Sequence, residues 1–146
     1  MPSLFPLIVV LIAGVGLAAQ PPTNAALART SGSVVLATLV SFLIGSAILF
    51  AVWLAFDRTP PAALRGAPPW AWLGGLYGAA FVTAVAFAAP RLGLATTVTV
   101  AIATQVGVAL LLDHVGGLGL KTDPVTLPKL VGVALMLAGV VIIRRG

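Results

Sequence analysis

The sequence predicts an all-α integral membrane protein with five transmembrane helices. Three observations carry that prediction. Of its 146 residues, 60% are hydrophobic and 8% are charged, too little charge to cover the surface of a soluble domain. Five apolar runs of spanning length are separated by short polar connections. The eight basic residues fall singly or in pairs between the apolar runs or at their ends. The net charge of +5 and pI near 11.4 therefore describe membrane flanks, not a basic face for nucleic acid. The partners expected are the lipid bilayer and a small-molecule solute, with no nucleic acid.

Chemistry is bounded by the same inventory. Cysteine is absent, there is one His, and the three acidic residues are Asp57, Asp113 and Asp123. That set does not build a multi-ligand metal site, a carboxylate pair or a nucleophile–base–orienter arrangement. Neither an enzyme nor a cofactor is expected. The whole chain, 1–146, reads as a single transmembrane domain.

The first span, about 4–27, is apolar through Ala19 and then reads Gln20-Pro21-Pro22-Thr23-Asn24. Twenty-four helical residues cover roughly 36 Å, enough for a hydrocarbon core of about 30 Å. Pro21 and Pro22 lack amide hydrogens and so free the carbonyls of Leu17 and Ala18. Gln20 and Asn24, four apart, share the face beside them. Lipid does not satisfy such groups, so this face must meet protein, water or a ligand. Gly16-Leu17-Ala18 resembles a signal cleavage site, but the run is long for a signal peptide and no Lys or Arg precedes it. It is read as a retained helix.

The second span, about 34–56, carries Ala37, Ser41 and Gly45 at intervals of four, a small-residue stripe suited to helix packing. The third, about 69–89, opens on prolines and on Trp70 and Trp72 at the interface. Gly74 and Gly78 form a GxxxG packing pair, and Tyr77, the single tyrosine, is a candidate cavity residue. The fourth, about 94–112, is the most polar. Thr97, Thr104 and Gln105 follow i, i+7, i+8 and so share a face. Threonines can bond back to their own helix, whereas the Gln105 carboxamide needs partners from outside it. Asp113 and His114 could titrate, but a helix end gives them a solvated structural role as well. The last span, about 127–143, places Gly132 and Gly139 at packing spacing.

Alternation of five spans puts Arg58, Arg65, Lys121 and Lys129 on one side and Arg29, Arg91, Arg144 and Arg145 on the other. With four basic residues on each side, the positive-inside rule sets no orientation. Two oppositely inserted copies would form an antiparallel ten-helix homodimer, the inverted repeat used in alternating access.

Several segments carry a resemblance: Gln20 with Asn24, the run from Leu36 to Gly45, Trp72-Leu73-Gly74-Gly75-Leu76-Tyr77-Gly78, and Pro90-Arg91-Leu92-Gly93. Gln105 ahead of Asp113-His114-Val115-Gly116 and the final Gly132/Gly139 pattern extend it. Together they resemble the bacterial YdcZ-type family of the drug/metabolite transporter superfamily over essentially the whole chain. The resemblance implies a bacterial plasma (inner) membrane protein acting as a dual-topology homodimer, an opposed pair or a fused repeat. Small multidrug transporters are similar in dimer logic but rely on a glutamate in the first helix, where this chain has Gln20 and no acid. A carboxamide does not exchange protons, which disfavours proton-coupled export of organic cations.

The function expected is a secondary transporter or facilitator for a small neutral, zwitterionic or partly apolar solute. Gln20, Asn24, Tyr77, Thr97, Thr104 and Gln105 are the candidate binding residues. A small antiparallel-dimer channel and a non-transporting membrane assembly subunit are the alternatives.

Overall fold

The structure, a computed structural model, describes residues 4–145. Among them are five α-helices: α1 (Leu4–Ser31), α2 (Val34–Val52), α3 (Gly74–Leu92), α4 (Leu94–Val115) and α5 (Leu127–Arg145). Each, with its flanking turns, is long and apolar enough to cross a membrane, and no strand occurs among the described residues. The chain forms two compact units, one ending at Arg91 and the other beginning at Leu92.

In the first unit α1 runs unbroken through Pro21 and Pro22. It continues past Arg29 to Ser31, and the hydroxyls of Thr30 and Ser31 bond back to the carbonyls of Ala26 (3.2 Å) and Leu27 (2.8 Å). Gly32, at φ +72°, then turns the chain. Ser33 caps α2, its hydroxyl accepting the Leu36 amide at 3.1 Å. Helix α2 ends in a π turn, Trp53–Asp57. The Trp53 indole donates to the Thr59 carbonyl at 3.0 Å, which pins the following proline-rich loop to the helix end. A 3₁₀ turn, Pro69–Leu73, leads into α3.

The second unit is the pair α4 and α5. Gly116 ends α4 in the left-handed conformation, φ +65°, and its amide reaches back to the Asp113 carbonyl. A Cβ at Gly116 would stand 2.8 Å from Thr122 Oγ1 and 3.2 Å from the Leu120 carbonyl. We therefore expect Gly116→Ala to cost about 1–2 kcal/mol from the left-handed backbone alone, with the clash in addition. The thermal midpoint should fall clearly below that of Gly107→Ala, where the added methyl meets open space.

Burial is sparse and made of small side chains. Ala25, Ala37 and Ala86 are 4%, 1% and 2% exposed, while rows of Leu, Ile and Val face outward as lipid-facing surfaces do. Helix α5 has no buried residue.

Candidate functional site

A polar seam runs through the first unit. Helix α1 contributes Asn24, 1% exposed, in a stretch where Pro21 and Ala25 are also buried. Helix α2 faces it with Ala37 and Thr38, 1% and 4% exposed. The alanines admit close backbone approach, and the polar side chains use it. The Ser41 hydroxyl donates to Asn24 Oδ1. Three residues back along α2, Thr38 Oγ1 donates to its own helix at Val34 (3.0 Å) and accepts from Thr83 of α3 at 3.2 Å. The Ala79 carbonyl also lies 2.7 Å from Thr83 Oγ1, so the single Thr83 hydroxyl hydrogen is shared between Thr38 and Ala79. Polar contacts thus join α1 to α2 and α2 to α3.

One atom in this seam has no partner among the described residues. Asn24 Nδ2 is buried and unbonded. Turning the amide over exchanges the roles, since Ser41 would then accept from Nδ2 and Oδ1 would be left alone; in either orientation one end of the carboxamide is unsatisfied. A buried donor left in this state costs about 1–3 kcal/mol. Buried polar groups are ordinarily hydrogen-bonded, which makes this carboxamide a candidate for a further contact.

Gln20 lies one turn before Asn24 and is half-buried. Its backbone carbonyl accepts the Thr23 hydroxyl at 2.7 Å, and its carboxamide makes no hydrogen bond among the described residues. The same holds for Tyr77, which is 60% exposed, so its phenol faces outward. Of the predicted packing residues here, Ser41 proves to be a hydrogen-bond partner of Asn24. Gly78 would place a Cβ 3.5 Å from the Phe42 ring. Gly45 and Gly74 have open space at the Cβ position.

The second unit holds the remaining candidates. Thr97 is buried at 6% and donates to the Gly93 carbonyl at 2.8 Å. Thr104 is exposed and donates to Val100 at 3.0 Å. Both hydroxyls are thus satisfied within their own helix. Gln105 is exposed and makes no hydrogen bond among the described residues. Asp113 and His114 knit the loop that follows α4. The Asp113 carbonyl accepts the Asp123 amide at 2.8 Å, and His114 Nδ1 accepts the Val125 amide at 3.2 Å. Lys129 pairs with Asp123 at 2.6 Å across the same loop. On α5, Gly132 and Gly139 face open space.

Thr83 and the interhelical role of Ser41 were not evident from sequence. Each partner lies far along the chain, and a lone Ser or Thr in an apolar helix ordinarily bonds to itself. The signal available was the coincidence of a polar stripe on α2 with the Asn24 face of α1.

Among the described residues no three His or Asp side chains group as a metal site would require. A family model described as "Putative inner membrane exporter, YdcZ" matches residues 5–142. No curated protein and no solved structure matches the chain. The family match and the five apolar helices make this a multi-pass inner-membrane protein.

Proposed function

From the premise that the chain belongs to the YdcZ family of inner-membrane exporters, we propose that it moves a small neutral, zwitterionic or partly apolar solute. It does so by alternating access between two oppositely inserted copies of itself. The observation that carries this reading is Asn24, a carboxamide buried at 1% with one unbonded end. It lies seven residues before the end of an apolar helix that contains no acid. A solute offering a hydrogen-bond acceptor would satisfy it without a net charge having to cross the hydrocarbon. Gln20 and Gln105, whose carboxamides make no hydrogen bond among the described residues, are proposed as the further polar contacts. Tyr77, Thr97 and Thr104 are secondary ones. The open faces at Gly74, Gly132 and Gly139 suit packing against the second copy.

Reconstituted vesicles test this reading against a panel of uncharged and zwitterionic solutes. Gln20→Ala and Gln105→Ala are each expected to cut uptake at least tenfold while cross-linked dimer remains at the native level. Undiminished uptake by both would move these residues into the packing category. Loss of the dimer would give them an interfacial role.

A further inference from the structure

We infer that the first unit carries a binding site for an anionic phospholipid, with its headgroup between Arg29 and Arg91 and an acyl chain along the α2–α3 groove. A recess of about 360 Å³ lies where α1 ends, α2 begins and α3 ends. Ala25, Ala28, Val34 and Ala86 form its apolar walls, with Arg29 and Arg91 beside them. Neither guanidinium has an acidic partner among the described residues. Arg29 makes no side-chain hydrogen bond among the described residues. Arg91 donates to the Phe87 carbonyl and stacks 3.6 Å from the Phe87 ring centroid. The one acid in this unit, Asp57, sits at the opposite end of α2, where it accepts from Thr59.

Two unneutralised guanidiniums in an apolar recess at the level of a helix end match a phosphodiester, which Arg binds bidentately. What selects a lipid over a free anion is the continuation of this recess. Val34 also lines a second, shallow groove of about 550 Å³, which runs down α3 along Phe87, Thr83, Ala80 and Leu76. Those four positions recur every three or four residues and so form one continuous helical face. Eleven residues of helix cover roughly 16 Å, about half the thickness of a hydrocarbon core. The single Thr83 hydroxyl hydrogen in this groove is taken up between Ala79 and Thr38, so the groove offers an acyl chain an apolar wall. The site does not depend on what the protein carries.

The test is thermal unfolding of the full chain in a neutral maltoside detergent, titrated with dioleoyl phosphatidylglycerol or dioleoyl phosphatidylcholine. At about one factor of five per interfacial arginine, the two arginines should favour the anionic lipid roughly 30-fold in half-saturating concentration. Arg29→Gln with Arg91→Gln should abolish that preference and keep the phosphatidylcholine response, which also reports that the variant is folded. Arg144→Gln with Arg145→Gln should retain the preference. Ala80→Trp, which fills the acyl groove and leaves both arginines, should weaken phosphatidylglycerol binding. Equal response to both lipids overturns the proposal. So does a preference that survives in Arg29→Gln/Arg91→Gln, or one lost equally in Arg144→Gln/Arg145→Gln. An equal shift produced by glycerol phosphate alone would assign the arginines to a free anion instead.

Discussion

Asn24→Ala is expected to reduce transport at least tenfold while changing folding stability by no more than about 1 kcal/mol. The two effects separate because the native side chain is already only half satisfied. Ser41 donates to Oδ1, and Nδ2 is buried without a partner. Removing the whole carboxamide deletes one hydrogen bond and one unsatisfied donor together. The Ser41 hydroxyl can then turn to the carbonyl one helical turn before it, as Thr38, Thr97 and Thr104 do. Ser41→Ala has the opposite signature. It leaves a buried carboxamide with neither end bonded, and should cost about 1–3 kcal/mol of stability. Unfolding in detergent and uptake into vesicles, measured on both variants, would distinguish these cases. An Asn24→Ala protein that transports normally but unfolds several degrees lower would make Asn24 a packing residue.

The second large effect is expected at Ala37. It is 1% exposed and lies one turn before Ser41, on the face of α2 that reaches Asn24. Leucine there adds three carbons to a seam already closed by Ala25 and Asn24, which are 4% and 1% exposed. Overpacking of this kind costs about 1–3 kcal/mol. The Asn24–Ser41 hydrogen bond should lengthen or break with it, so both thermal midpoint and transport should fall. Gly45 is the matching contrast. It continues the same stripe, yet a methyl group there meets nothing within 4 Å. Gly45→Ala should leave stability unchanged or raise it by up to about 1 kcal/mol through helix propensity.

The five helices were legible because spanning length and apolarity are local properties that lipid enforces on each run separately. Details at the helix ends were less so. The first span was expected to end near Leu27, yet the helix runs on to Ser31. Nothing in Trp53–Asp57 announced a π turn. The site was partly legible. Asn24 stood out as a carboxamide in an apolar run, and its burial follows from the face it shares with Pro21 and Ala25. Ser41 read as a small packing residue, because its size is local information and its partner 17 positions away is not. The shared face proposed for Thr97, Thr104 and Gln105 holds as helical spacing, but one of the three is buried and two are exposed. The arginine-lined recess needs three helix ends brought together, which no single segment displays.

Insertion in both orientations is the claim on which the proposed transporter rests most directly, and cysteine labelling tests it. The chain contains no cysteine. Ala62, exposed in the loop between α2 and α3, and Leu92, 61% exposed at the end of α3, can each be replaced by cysteine without altering the charge count. They mark opposite ends of the third span. Intact cells would be challenged with an impermeant thiol reagent, and total label measured after lysis. We expect partial labelling at both positions, each a substantial fraction of the lysate value. Full labelling at one position and none at the other would contradict the account, because a single orientation cannot build the inverted homodimer.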